Sequence, residues 1–160
     1  MTTTTGSLAR KAIAAQAAPE WVVFTCDGHL FGVPLSRVRE VLDPRPFTRL
    51  PGCSAAVSGL IGVRGRVVTA FDLGAALALR PSATEENHRV ILVEHGERVF
   101  ALVVDGIVAV ARADAAELPL DAEALQSLDI NRDDLIGIGA LGDQPFLAID
   151  PERVLARLLP

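Results

Sequence analysis

The chain has no tyrosine, a single tryptophan and only two cysteines among its 160 residues. Two thiols, Cys26 and Cys53, are too few to staple a secreted chain of this length, so both are expected reduced and partly buried. Lys and Arg number 15 against 20 Asp and Glu, a net charge of −5. That balance excludes a broad basic face and with it a nucleic-acid partner, because neutralising phosphates takes clustered cations. No apolar run is long and uncharged enough to span a bilayer, so no membrane insertion is expected. The Thr- and Ala-rich start has no continuous apolar stretch of the signal-peptide kind, because Arg10, Lys11 and Gln16 interrupt it. A cytoplasmic protein with a disordered tail over 1–19 is expected. The three histidines, His29, His88 and His95, have no metal-ligand spacing with the cysteines, so neither metal nor cofactor is expected. His29 and His95 read as exposed turn residues.

What the chain does have is apolar content, 50% of its residues, and one pattern written twice. Gly59-Leu-Ile-Gly-Val-Arg-Gly-Arg-Val-Val-Thr-Ala-Phe-Asp72 is answered 78 positions later by Gly137-Ile-Gly-Ala-Leu-Gly-Asp-Gln-Pro-Phe-Leu-Ala-Ile-Asp150. Each copy reads as strand, Gly turn, strand, then an Asp suited to cap a short helix. Upstream, Gly28-His-Leu-Phe-Gly-Val33 is echoed by Gly96-Glu-Arg-Val-Phe-Ala-Leu102. The chain therefore has two halves of two hairpins each, which argues for two similar small β units packed as one body.

The elements follow from the turn residues. Trp21–Cys26 and Leu30–Val33 flank an Asp27-Gly28 turn. Arg37–Leu42 suits a short helical turn capped by Ser36, or a strand. Pro44, Pro46 and Pro51-Gly52 mark a loop. Ser58–Val63 and Arg66–Phe71 close around Gly65, and Asp72 opens a helix to about Leu79. Arg89–Glu94 and Arg98–Val104 form the third hairpin, and Ile107–Ala111 continues as a strand. The acidic stretch Asp114–Asp134 reads as a solvated connector. Leu135–Leu141 and Pro145–Ile149 form the last hairpin. Asp150-Pro151 starts a final helix with Val154, Leu155 and Leu158 on one face. Eight to ten short strands with Gly turns indicate an all-β fold of closed or nearly closed units. A division between the two near residue 80 is the simplest reading, and an exchange of strands between the units is the alternative.

Two apparent catalytic motifs fail on context. Gly137-Ile-Gly-Ala-Leu-Gly142 has dinucleotide-binding glycine spacing, but a strand follows it where a helix must hold the pyrophosphate. Gly52-Cys-Ser-Ala-Ala56 lacks the closing glycine of a nucleophile elbow and follows Pro51, which breaks the required strand. Carboxylates are scattered, with no acid–base couple among them. No enzymatic activity is expected.

Arg64 stands between Gly62 and Gly65 in an otherwise apolar hairpin. An unpaired buried guanidinium is costly, so Arg64 is either exposed at the turn or paired, with Glu40 the best partner. At these residues the chain resembles the CheW-like adaptor family. The resemblance runs through Phe31-Gly-Val-Pro34, Val38-Arg-Glu-Val41, Leu50-Pro-Gly52, Val57-Ser-Gly-Leu-Ile61, Val63-Arg-Gly-Arg-Val-Val68, Phe71-Asp-Leu73, Val103-Val-Asp-Gly106 and Ile136-Gly-Ile-Gly139, and covers about Trp21 to Leu159. It implies two five-stranded SH3-like β-barrels on a shared core, with short capping helices and a C-terminal helix, over residues 20–160. It implies an adaptor joining chemoreceptor cytoplasmic tips to the regulatory domain of a CheA-type histidine kinase, at membrane-associated receptor arrays. By resemblance Val38, Glu40, Gly59 and Arg64 fall at receptor-coupling positions. Val41, Leu60 and Val63 join them as apolar neighbours, and a groove between the barrels is the expected docking place. Where the family usually has Asn-Leu-Arg-Gly, this chain has Gly62-Val-Arg-Gly65. The alternatives are the same adaptor in a non-flagellar chemosensory-like pathway, controlling pili, development or gene expression, and a small-ligand-binding barrel.

Overall fold

In the computed structural model, residues 18–81, 87–115 and 128–159 are described. Most of the expected tail and most of the acidic connector lie outside the described residues. The architecture is all-β, as expected, with ten strands among the described residues: β1 (Glu20–Cys26), β2 (His29–Pro34), β3 (Val38–Leu42), β4 (Val57–Val63), β5 (Arg66–Asp72), β6 (Arg89–His95), β7 (Arg98–Val104), β8 (Gly106–Arg112), β9 (Leu135–Leu141) and β10 (Gln144–Ile149). Two helices, α1 (Leu73–Ala76) and α2 (Pro151–Leu158), each follow the second strand of a repeated hairpin. Neither is long and apolar enough to cross a membrane.

The strands make two five-stranded sheets, ordered β8-β1-β2-β10-β9 and β3-β6-β7-β5-β4. Matched by order along the chain, β1–β5 correspond to β6–β10, offset by 69 residues at β1 and β2 and by 78 at β4 and β5, and the two sheet orders then agree strand for strand. Each sheet, however, takes its first hairpin from one repeat and its other three strands from the other. β2 pairs in parallel with β10, and β7 with β5. The expected division near residue 80 thus falls between the repeats but inside the second sheet, between β5 and β6. The physical reason is non-local: each hairpin buries its apolar face against the other repeat's strands, which no local turn signal encodes.

Three apolar clusters follow from this exchange. One lies within the first barrel, where Trp21, Val23, Phe146 and Ala148 are buried. The Phe146 ring lies flat over two glycines: a Cβ on Gly139 would stand 2.3 Å from it, and one on Gly32 2.7 Å. The glycine of the apparent dinucleotide motif therefore makes room for a ring. A second cluster fills the second barrel, around Ile61, Val68, Val90 and Val103. The largest lies between the barrels and joins Phe24, Phe31, Phe71, Leu102 and Ile149 to Val154 and Leu155 of α2. Leu158 packs against it from the edge, so the expected face of the last helix is the buried one.

Local expectations mostly follow chemistry. Asp72 accepts a hydrogen bond from the Ala75 N–H at 3.0 Å, and Asp150 accepts one from Glu152 at 3.0 Å, so both act as helix caps. Helix α1 ends sooner than the expected Leu79. Ala78 turns left-handed at φ +59° and the Leu79 N–H reaches back to the Gly74 carbonyl at 2.8 Å, a Schellman closure. The helical alternative for Arg37–Leu42 is not adopted. A 3-10 turn covers Leu35–Arg37 without a side-chain cap from Ser36, and Val38–Leu42 pairs antiparallel with β6. Leu42 opposite Val90 buries more as a strand than one helical turn would. Cys26 is buried and Cys53 is exposed. His88, which no turn signal distinguishes, is fully buried; its Nε2 accepts from the Arg45 N–H at 3.1 Å and its ring lies 4.9 Å from Phe47.

Candidate partner-binding site

In the second barrel the edge strands are β3 and β4. They are not paired as a ladder, so the barrel's seam is held by other means. The Thr48 and Leu60 backbones exchange two hydrogen bonds at 2.8 Å. The Arg45 guanidinium donates to the Gly62 carbonyl at 3.1 Å. Beyond them, at the end of the seam, Arg64 Nη1 and Nη2 donate to Glu40 Oε2 and Oε1 at 2.6 and 2.5 Å. The expected pair is therefore present, and it is bidentate, the geometry that a planar guanidinium makes best with a carboxylate.

The turn that presents Arg64 is unusual. Arg64 and Gly65 both have left-handed backbone, φ +49° and φ +78°, as the two-residue hairpin between β4 and β5 requires. Glycine takes that conformation freely, while an arginine is strained there. The arginine end of the pair lies in water, with the Arg64 side chain 75% exposed, while Glu40 is 28% exposed. The hydrogen bonds that Arg64 donates to Glu40, and then the Glu40 charge, hold the Arg64 pKa above its ordinary value. A raised cationic pKa means that Arg64 itself keeps its proton until pH climbs through that value. Arg64 thus stays charged at any pH where binding is measured.

Beside this pair a cleft of about 480 Å³ opens at the mouth of the second barrel. Glu40, Val63 and Arg64 line it, together with Arg39, Arg66, Val67 and Arg98. Val38, Val41, Gly59 and Leu60 are not part of that lining. Val38 packs against the core between the barrels, and Val41 stays 39% exposed on the same edge strand. Gly59 is buried at a β-bulge with φ +141°, and a Cβ there would stand 2.5 Å from the Thr48 carbonyl oxygen, so its lack of a side chain serves the seam. Leu60 is half-buried and bridges to Thr48. Sequence reasoning missed Arg39, Arg66 and Arg98, which sit on three different strands, β3, β5 and β7. Only the shared barrel mouth brings them together.

Residues 20–159 match the family model described as the CheW-like domain. The chain belongs to the CheW-like family. It is 28% identical over 137 residues to the chemotaxis protein CheW of Klebsiella aerogenes, spanning 86% of this chain and 81% of that protein. It is 30% identical over 143 residues to the protein PilI of Pseudomonas aeruginosa, spanning 87% of this chain and 78% of PilI. The crystal structure of the scaffolding protein TtCheW of Thermoanaerobacter tengcongensis superposes with a TM-score of 0.74 at 23% identity, covering 86% of this chain and 92% of that one. The fold is thus shared over 86% of this chain.

Proposed function

We propose that this CheW-like protein is a non-enzymatic adaptor, coupling chemoreceptor cytoplasmic tips to the regulatory domain of a CheA-type histidine kinase within cytoplasmic, membrane-associated receptor arrays. The observation that carries the reading is the Glu40–Arg64 pair, bidentate, with its arginine held in water at the lip of a cleft. So exposed a pair adds little to folding, and the Arg64 backbone is strained as well. A strained residue that returns little to stability is best accounted for by binding. Val38, Glu40, Val41, Gly59, Leu60, Val63 and Arg64 are assigned to the receptor side. Gly59 acts there by shaping the seam and not by touching a partner.

A receptor tip is a helical hairpin, and a helix docks by laying a few side chains onto a complementary surface. A few anchors dominate such binding. Each contact can be weak if one adaptor engages receptor and kinase together, because tethering raises the effective concentration of the second partner. The test is Arg64→Glu. It is expected to keep the circular dichroism spectrum and unfolding midpoint of the parent, and to lose about tenfold in pull-down by a receptor tip. Unchanged receptor binding removes Arg64 from the site, and global unfolding makes it structural.

The likeness to PilI, 30% identical, matches the likeness to the chemotaxis protein and favours a second reading of the output. In it the same coupling serves a non-flagellar chemosensory-like pathway. Co-purification from the native cell, followed by identification of the bound receptor and kinase, separates the two.

A further inference from the structure

In a chain of net charge −5, the lining of the cleft at the second barrel's mouth has the opposite sign. Four of its residues are arginines, Arg39, Arg64, Arg66 and Arg98, against two glutamates, Glu40 and Glu97. Glu40 is taken up by Arg64. Arg39 comes no closer than 4.0 Å to Glu94, with both side chains 57% exposed. Among the described residues, the Arg66 and Arg98 side chains have no hydrogen-bond or ion-pair partner. Amid these cations Val67 is 72% exposed, the largest exposure of any large apolar residue among those described. The cleft thus offers guanidinium groups with carboxylate-binding capacity to spare around an apolar side chain that nothing covers.

We propose that this cleft docks an acidic amphipathic helix of a partner protein. Carboxylates along the helix edges meet Arg39, Arg66 and Arg98, while an apolar stripe covers Val67. The proposal rests on the adaptor reading and gives the chemistry of the helix that the adaptor takes, and it places the docking at the mouth of one barrel, not in a groove between two. The occupant is chosen by charge complementarity, since forked guanidiniums pair best with carboxylates and steer an acidic partner toward an otherwise repulsive, acidic protein. A docking strand is disfavoured, because the seam between β3 and β4 is already bridged by Glu40–Arg64 and by the Thr48–Leu60 hydrogen bonds. A helix needs no backbone ladder, and its diameter of about 10 Å suits an open cleft.

The experiment uses the full chain and the double variant Arg66→Glu/Arg98→Glu, neither residue being part of the seam. The probes are two synthetic helices of about 20 residues that share one leucine stripe, flanked by glutamates in one and by lysines in the other. The acidic helix is expected to bind the parent at least tenfold more tightly than the basic one, and to weaken as salt screens the pairs. Its binding to the double variant is expected to fall about tenfold at an unchanged unfolding midpoint, as two lost and reversed surface pairs predict. Equal binding of the two helices, or an undiminished double variant, overturns the proposal. So does equally tight binding of a 20-nucleotide single strand or of anionic phosphatidylserine vesicles, because the cleft is then a general anion surface. A receptor tip and the kinase regulatory domain are run in parallel. If they bind parent and double variant alike, the adaptor reading stands and the acidic-helix proposal falls. If the acidic helix discriminates as expected but neither signalling protein binds, the proposal stands and the adaptor reading falls.

Discussion

The two repeats differ most tellingly where one carries an arginine–carboxylate pair and the other does not. A shared backbone contact fixes their equivalence. The Asp72 N–H donates to the Ala56 carbonyl at 2.7 Å, and 78 residues on, the Asp150 N–H donates to the Asp134 carbonyl at 3.0 Å. At these matching places the first repeat has buried Ala56 and the second has Asp134, only 1% exposed and held by Arg157 Nη2 at 2.5 Å. The same Nη2 also donates to the Ala76 carbonyl at 2.9 Å, tying α2 to the end of α1. Conversely, the hairpin turn of the second repeat has Gly142 at φ +60°, and that of the first has Arg64 at φ +49°. At these two places each repeat departs from the other by an ion pair. The departure away from water holds the fold together, while the one in water strains its turn and faces a cleft.

The largest effect is expected from the buried pair. Arg157→Ala leaves the Asp134 carboxylate with no cation in a site that water hardly reaches, and about 2–3 kcal/mol of stability is lost in urea unfolding. That is less than a fully enclosed pair costs, because the arginine side chain is itself 38% exposed. The comparison also supplies a rescue. Asp134→Ala with Arg157→Leu installs the residues that the first repeat has at the offset positions, Ala56 and Leu79. Most of the loss should return, since replacing both partners removes the stranded charge. A double variant as unstable as Arg157→Ala alone would mean that the pair, and not the avoidance of a lone carboxylate, holds α2 in place.

How far the sequence reveals this depends on the range of each interaction. Hairpins, their glycine turns and the Asp caps at 72 and 150 are local and were legible, because left-handed turns and helix N-termini select residue types directly. Exchange between the units was legible only as an alternative, and which hairpins are exchanged was not. It depends on the parallel pairings of β2 with β10 and β5 with β7, whose partners lie far apart in the chain. Arg37–Leu42 was ambiguous because a 3-10 turn ending at Arg37 runs straight into a strand there. Asp134 sits at the end of an acidic run that reads as solvated connector, and its cation arrives from a helix 23 residues later. Of the site, Glu40 with Arg64 was legible, because an arginine among glycines needs a partner. The arginines at 39, 66 and 98 were not, because a net negative charge hides a cluster that only folding assembles.

A smaller effect is expected at the turn of the second repeat. Gly142→Arg puts the first repeat's residue at a positive-φ position of a turn whose next residue, Asp143, is not at positive φ as Gly65 is, and it costs at least about 1 kcal/mol in the same unfolding measurement. Gly142 is exposed, so no clash adds to the backbone term. A variant as stable as the parent would show that this turn relaxes out of the left-handed region, and the strain assigned to Arg64 would lose its basis.

The smallest effect on stability, and the sharpest on use, is expected from the reciprocal exchange. Arg64→Gly gives the first repeat the residue found at the second repeat's turn. It relieves the left-handed strain and gives up a pair that lies mostly in water, two small changes of opposite sign. The unfolding midpoint should therefore stay within error of the parent while receptor-tip binding falls about tenfold, as for Arg64→Glu. The glycine variant is the more discriminating of the two because it introduces no repulsion against Glu40, so a binding defect cannot be ascribed to a seam forced open by like charges. If instead the midpoint drops by several degrees and binding falls only in proportion, Arg64 is a staple of the second barrel. The two ion pairs would then differ in burial and not in purpose.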